Sequence, residues 1–199
     1  MSAAATRELD WNELLVEQLV FHWEHHLRPR LDGLGDDEYR WEPVPGCWGI
    51  RPRAEATTAM AAGAGDLVID FELPEPDPVP VTTIAWRIGH LLVGVFGERN
   101  ANHFAGPPVS YADIVWPSTA GAALDELDAA YERWLVGIRG LGEDRLADPV
   151  GPAEGPFAEL PYAALVLHIH REVIHHGAEV LLLRDLYRSA GGGPLGPTT

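Results

Sequence analysis

The chain has 199 residues with a formal net charge of −16, and all fourteen of its basic residues are Arg. An acidic surface repels phosphate backbones, and the sequence has no basic patch interleaved with aromatic residues, so nucleic acid is not expected as a partner. Apolar residues make up 46% of the chain, which is ordinary for a globular protein, and no apolar run is long enough to cross a bilayer.

The N-terminal residues and the cysteine content bear on the cellular compartment. The first fifteen residues lack the charged-then-apolar order of a secretory signal peptide. The single cysteine, Cys47, rules out an internal disulfide and a cysteine-rich zinc site, and it fits a reducing compartment. The sequence therefore predicts a cytoplasmic protein without a membrane partner.

The first predicted helix runs from about Trp11 to Leu34. Its apolar residues recur at helical spacing and form one stripe, made of Val16, Val20, Trp23, Leu27, Leu31 and Leu34. Asp10 is a suitable N-cap residue because Glu13 follows three positions later, and Gly33 favours the end of the helix.

A long segment separates this helix from the next. Pro and Gly interrupt residues 41–53, so this stretch cannot form a regular helix. Residues 47–51 and 66–73 have strand character and predict a small β-hairpin. Cys47 is predicted to pack in this hairpin, and a resolving or nucleophilic thiol is the alternative. The Ala-rich residues 53–65 between these strands fit a short helix equally well.

Three more helices follow along the chain. The second is predicted from Thr82 or Thr83 to about residue 102, and the third opens at Ser118 or Thr119. The fourth runs from Pro161 to Arg188, with Pro161 in the first turn. The sequence therefore predicts an all-α fold, namely a four-helix bundle with a long decorated crossover between helices 1 and 2. We expect a single domain over residues 1–188 and a flexible tail over residues 189–199.

Polar residues interrupt the apolar stripe of the fourth helix. The stripe consists of Ile169, Val173, His176, Val180, Leu183 and Tyr187. Glu172 lies about 40° around the helix from His176, so both side chains point to one place. Burying a carboxylate beside a histidine is costly unless the charge is balanced, and a divalent cation balances it. A Glu–His pair that merely packs remains the alternative.

Other histidines are candidates for a third metal ligand. His90 lies in the second helix, in the most apolar surroundings of any histidine in the chain. A core histidine with a hydrogen-bond partner is the alternative for His90. The first helix carries His22, His25 and His26, of which His22 and His26 are four residues apart. These residues could join the same pocket or form a separate site, and a solvated helix face is the alternative.

Three segments resemble the DinB-like family of metal-binding four-helix bundles, in particular its actinobacterial branch. They are "TTIAWRIGH" at 82–90, "HREVIHHGAEVLLLRDLY" at 170–187 and "LDGLGDDEYRWEPVPGCWGIRP" at 31–52. That branch is related to mycothiol-dependent maleylpyruvate isomerase and to bacillithiol-transferase-like proteins. The resemblance covers the chain from about Glu13 to Tyr187 and implies the same bundle fold.

The resemblance implies that His90, Glu172 and His176 bind a metal. Many family members use three histidines, so Glu172 is a departure that resembles the isomerase-like variant. Whether His168 or His175 substitutes for it stays open. Helix geometry favours Glu172, because His175 diverges from His176 by about 100°.

The resemblance also implies a function. The metal is expected to be zinc or nickel, and the protein is expected to activate a low-molecular-weight thiol such as mycothiol in a transferase or isomerase reaction on a small molecule. A hydrolase that uses metal-bound water and a non-catalytic metal-binding or ligand-binding bundle are the alternatives. Arg87, one turn before His90, is predicted to contact an anionic cofactor or substrate, and pairing with Glu172 or a surface ion pair are the alternatives. A homodimer is also expected.

Overall fold

The computed structural model describes residues 9–193. Four long helical segments dominate it and cover residues 11–31, 84–103, 120–145 and 162–189. A two-stranded antiparallel sheet lies in the crossover between the first two segments. The predicted all-α bundle with a decorated crossover is therefore confirmed.

The first bundle helix consists of α1 (Trp11–His22), one π-helical stretch (Trp23–Leu27) and α2 (Arg28–Leu31). The carboxylate of Asp10 accepts a hydrogen bond from the Glu13 amide at 2.9 Å, so the predicted N-cap is confirmed. The helix ends at Leu31, not at the predicted Leu34, because the backbone turns extended at the next residue and Gly33 adopts a φ of 71°.

The core stripe of this first helix differs from the predicted one at a single position. Leu19 is fully buried, whereas the predicted Val20 is only half-buried. The other five predicted positions are buried as expected. A short helix, α3 (Asp36–Tyr39), follows and adds Tyr39 to the core.

The crossover forms the predicted hairpin from β1 (Ile50–Pro52) and β2 (Leu67–Ile69), in which Ile50 pairs with Ile69. A single 3₁₀ turn (Arg53–Glu55) follows β1, so the alternative of a helix over the Ala-rich residues is wrong. The buried carboxylate of Asp70 fastens the hairpin, because it accepts hydrogen bonds from the side chain of Arg51 and the backbone amides of Gly49 and Thr57.

The second bundle helix consists of α4 (Ile84–His90), a π-helical stretch (Leu91–Gly97) and α5 (Glu98–His103). Thr83 caps it, as predicted, through a hydrogen bond from the Trp86 amide at 3.2 Å. The hairpin positions this helix, since backbone hydrogen bonds join Trp48 to Val81 and Thr83. A Cβ atom on Gly89 would lie 2.9 Å from the Ile50 side chain, so only glycine permits this contact.

The third and fourth bundle helices are α6 (Ala120–Arg145) and α7 (Tyr162–Ser189), joined by a segment with a 3₁₀ stretch (Pro152–Phe157). Thr119 caps α6 as predicted. Gly142 interrupts α6 near its end with a φ of 65°. Helix α7 begins at Tyr162, one residue later than predicted, so Pro161 occupies its N-cap position and has an extended backbone.

The packing order of the helices places the second and fourth side by side. The first and second bundle helices each pack against both α6 and α7. Side chains from all four helices fill one hydrophobic core. Because the second and fourth helices are neighbours, the polar residues on their facing sides lie in the same part of the molecule.

Two sequence predictions concern the chain ends and the membrane. Helix α7 continues to Ser189, so the predicted tail begins as helix and turn. Residues 1–8 and 194–199, which include the rest of that tail, lie outside the described part of the chain. Within residues 9–193, no helix combines the length and the apolar character needed to span a membrane.

Candidate metal centre

Three predicted residues meet where α4 faces α7. Each of His90, Glu172 and His176 offers one ligand atom, and these atoms all lie within 4.8 Å of one another. The rings of His90 and His176 are perpendicular, with centroids 4.9 Å apart. Glu172 and His176 are one helical turn apart on α7, as the sequence spacing predicts. The structure thus gathers the three residues, although their role as metal ligands stays a prediction.

Glu179 holds the ring of His176. Nδ1 of His176 lies 2.7 Å from Oε2 of Glu179, which makes this nitrogen the donor of a charge-assisted hydrogen bond. Nε2 then carries the lone pair, and it faces Oε2 of Glu172 at 3.4 Å. Burial lowers the pKa of His176, although the hydrogen bond to Glu179 acts in the opposite direction.

Tyr111 holds the second histidine. Nδ1 of His90 lies 2.8 Å from the Tyr111 hydroxyl, which leaves Nε2 as the free ring nitrogen. The indole of Trp86 stacks on the other side, with ring centroids 5.6 Å apart. Burial, aided by His176 and Arg87, lowers the pKa of His90 from 6.5 to about 4. His90 is therefore neutral at neutral pH and able to coordinate a metal.

This arrangement fits a divalent transition metal. Neutral His176 directs a lone pair at the Glu172 carboxylate, and two acceptors at this distance repel each other unless a proton or a cation lies between them. Both histidines have one nitrogen fixed by a neighbour, as is usual for metal-bound imidazoles. Two imidazole nitrogens and one carboxylate are the ligand set of many catalytic zinc sites.

The other histidines of α7 lie at the edge of this group. Nδ1 of His168 is 3.4 Å from Oε1 of Glu172, but His168 is not among the three converging ligands. His175 is exposed and forms a second group with His176 and Glu179. That group includes the exposed His175, whereas all three members of the group with His90 are buried or half-buried, so the group with His90 is the better candidate.

The histidines of the first helix do not join the candidate centre. His25 and His26 are exposed, and their rings contact the exposed Phe21 in tilted and edge-on arrangements. His22 is half-buried against α7, where its Nε2 would lie 3.4 Å from a Cβ on Gly177. The predicted alternative of a solvated helix face therefore describes His25 and His26 but not His22.

Arg87 pairs with Glu179 and not with Glu172. Its Nε lies 3.1 Å from Oε2 of Glu179 in an ion pair that is not aligned for a hydrogen bond. Its guanidinium also lies 5.2 Å from the centroid of the Trp86 ring. Nη1 of Arg87 also lies 3.4 Å from Nδ1 of His176, and contact with an anionic cofactor stays a prediction.

Sequence reasoning missed Tyr111 and the stacking of Trp86. Tyr111 lies in an irregular loop 21 residues after His90, and no periodicity or spacing connects the two. The glycine at position 94 is the only sequence signal of this contact. A Cβ at Gly94 would lie 2.7 Å from the Tyr111 hydroxyl and 3.0 Å from the His90 ring. Cys47 is fully buried and its thiol donates to the Val44 carbonyl, as expected for a packed residue.

The fold and the site define a class of protein: a helical bundle in which two neighbouring helices bring two histidines and one glutamate together. A family model described as the DinB superfamily matches residues 18–180. Because the match spans most of the chain, the chain belongs to the DinB superfamily. No curated protein and no solved structure matches it.

Proposed function

We propose that the protein is a metal-dependent enzyme that activates a low-molecular-weight thiol in a transferase or isomerase reaction. His90, Glu172 and His176 would hold the metal, with zinc or nickel as the expected ion. The opposed His176 lone pair and Glu172 carboxylate, 3.4 Å apart, carry this proposal, because a cation between them turns repulsion into coordination. Membership of the DinB superfamily supports it.

The metal supplies one kind of chemistry when bound: it lowers the pKa of a coordinated thiol or water towards neutrality. The chain's own residues hold the ligands. Glu179 fixes the tautomer of His176, and Tyr111 fixes the ring of His90. The ion pair with Arg87 holds Glu179 in place. Three protein ligands leave a coordination position for a small molecule, which is typical of catalytic sites.

The finer parts of the proposal come from the resemblance. The segments at 82–90 and 170–187 resemble the actinobacterial branch, for which mycothiol is the expected thiol. A hydrolase that uses bound water is the second candidate, and a non-catalytic bundle is the third. A homodimer, a small-molecule substrate and a cytoplasmic location also stay predictions.

A cobalt-substituted protein distinguishes these candidates. Cobalt(II) takes the same nitrogen and oxygen ligands as zinc and reports its ligands through its absorption. We expect mycothiol to add a thiolate-to-cobalt charge-transfer band that saturates at about one thiol per chain. A cobalt spectrum unchanged by mycothiol, cysteine and bacillithiol would contradict the thiol proposal and favour the hydrolase.

Two variants serve as controls in this titration. His90→Ala should lose both cobalt binding and the thiol band, because it removes one of three ligands. His175→Ala should keep both, since His175 is an exposed neighbour of His176 outside the group.

A further inference from the structure

A cavity of about 340 Å³ lies beside the candidate metal centre and shares none of its three residues. It is enclosed by α5, α7 and the segment that joins α6 to α7. The side chains that line it include Arg99, Phe157, Leu160, Leu165, His168 and Arg171. Nothing in the sequence pattern had indicated a cavity here.

The cavity borders the candidate metal centre on the side of α7. Nη2 of Arg171 lies 3.5 Å from Oε1 of Glu172, and Nδ1 of His168 lies 3.4 Å from the same oxygen. Both of these side chains also line the cavity. A molecule in the cavity would therefore end about one helical turn from the carboxylate of Glu172.

The cavity reaches the second bundle helix through Arg99. Nη1 of Arg99 donates to the backbone carbonyl of Gly94 at 2.8 Å. Gly94 is in turn the position where a Cβ would touch the ring of His90 at 3.0 Å. Arg99 and Arg171 thus approach the candidate centre from opposite walls of one cavity.

Arg99 has hydrogen-bonding capacity to spare. Its Nη1 is used by Gly94 and Glu98, and its Nη2 lies 3.4 Å from Glu154. Within residues 9–193, no group accepts a hydrogen bond from its buried Nε. Nη2 has one contact, with Glu154, and keeps a second N–H that can donate to a carboxylate oxygen.

The carboxylate of Glu154, which also lines the cavity, is already engaged. Its Oε1 lies 2.9 Å from Nε2 of His103, and its Oε2 faces Arg99. Arg171 has its side chain 68% exposed at the cavity's edge, where it can contact an entering anion. Among the charged side chains that line the cavity, the two arginines outnumber the single carboxylate of Glu154.

The remaining wall is apolar. Leu165 is buried at 6% exposure, whereas Phe157 and Leu160 are exposed at 62% and 47%. Exposed apolar side chains beside a cavity favour a ligand with an apolar body that covers them.

We propose that this cavity binds a small organic acid with an apolar body, whose carboxylate contacts Arg99 and Arg171. The claim that the acid is the substrate class of the enzyme rests on the proposed function. The claim that the cavity binds the acid does not, because the two arginines and the apolar wall are independent of the metal. Because Arg171 lies 3.5 Å from Glu172, the acid's carboxylate end is then held beside Glu172, where the activated thiol would meet it.

The proposal is tested by titrating the zinc-loaded protein with phenylacetate and with its neutral analogue phenylacetamide. Heteronuclear NMR monitors the binding of each compound. We expect phenylacetate to bind at least about tenfold more tightly than phenylacetamide. Arg99→Gln and Arg171→Gln should each abolish most of this preference. Arg171 is exposed, so its variant should fold even if Arg99→Gln does not. Arg145→Gln, an exposed arginine paired with Asp148, is the control and should keep it.

Three results would overturn the proposal: no phenylacetate binding at about 10 mM, equal binding of acid and amide, or unchanged binding in both arginine variants. The zinc-free His90→Ala variant separates this proposal from the function. If it retains phenylacetate binding, the cavity binds acids without the metal, whatever becomes of the enzyme proposal. If His90→Ala loses phenylacetate binding and both arginine variants keep it, the acid binds the metal directly and the cavity proposal fails.

Discussion

At the scale of single residues, the candidate centre depends on fixed imidazole tautomers. A neutral histidine presents a lone pair on only one nitrogen, so a partner on the other nitrogen decides which atom can bind a metal. The Glu179 carboxylate can only accept, so it takes this role for His176. The Tyr111 hydroxyl can donate or accept, so it holds the ring of His90 and leaves Nε2 without a partner in the described part of the chain, without deciding the tautomer.

The Tyr111→Phe variant tests this positioning. It removes the hydroxyl 2.8 Å from Nδ1 of His90 but keeps the ring. Loss of such an outer partner weakens metal binding by about 10–100-fold. We expect zinc affinity, measured by competition with a chromophoric chelator, to fall by that factor while the stoichiometry is kept. Tyr187→Phe, whose hydroxyl lies near Gly192, is the control. Equal zinc affinity in Tyr111→Phe and wild type would show that the hydroxyl does not position His90.

The three central residues were predictable, as was Glu179 as a residue that could orient His176 or His175, whereas Tyr111 was not. His90, Glu172 and His176 stand out because they are polar groups within apolar helical stripes. Tyr111 comes from an irregular loop, and its distance to His90 depends on how that loop packs on the bundle. The spare donor of Arg99 is likewise visible only when its three partners are known.

At the scale of elements, the crossover and the helix ends fix where the second and fourth helices lie. The hairpin is tied to the start of α4 by Trp48, and α3 is tied to α7 by the pair Glu38–Arg184. Both members of this pair are buried, at 6% and 1% exposure. A buried pair of this kind holds its two elements in one register, because separating them strands a charge.

Glu38→Ala therefore should destabilise the protein strongly. It leaves the Arg184 guanidinium buried without its carboxylate, which costs about 3–5 kcal/mol of unfolding free energy. Urea denaturation followed by circular dichroism measures this change. Asp185→Ala breaks the exposed pair with Arg30, of similar 2.8 Å length, and should cost about 1 kcal/mol or less. If both variants lose the same small amount, α3 does not depend on this pair.

Helix existence and faces followed from periodicity, whereas the irregularities did not. The buried residues of α6 include Leu124, Leu127, Tyr131, Trp134, Leu135 and Ile138, all of which the spacing predicts. The π-helical stretches after His22 and His90 were not predicted, because no residue pattern in the sequence marks them. The stretch after His22 separates the part of the first helix whose buried stripe includes Leu19 from the buried stripe that follows it.

At the scale of the whole molecule, buried histidines make stability depend on pH. His170 is fully buried on α7, where its Nε2 accepts a hydrogen bond from Trp134 at 3.2 Å. Burial lowers its pKa from 6.5 to about 4. As the pH falls from 6.5 towards 4, the unfolded chain takes up a proton that the folded chain does not, so the unfolding free energy falls. Below about pH 4 both forms are protonated and the loss stops growing.

The His170→Gln variant tests this linkage in the zinc-free protein. Glutamine can still accept from Trp134 but does not titrate. We expect the pH slope of the unfolding free energy between pH 6.5 and 4 to decrease by about 1.4 kcal/mol per pH unit. Substitution of the exposed His25 by Gln should leave the slope unchanged. An unaltered slope in His170→Gln would show that folding does not lower the pKa of this histidine.

The most direct test of the account is metal content, determined by elemental analysis of untagged protein purified without chelator. Wild type should contain about one transition metal per chain, or take it up from zinc or nickel. Glu172→Ala should lose it, and His168→Ala, one turn earlier on α7, should keep it. No metal in the wild type after incubation with zinc or nickel would mean that Glu172 and His176 are a structural pair, and it would contradict the metal-dependent function.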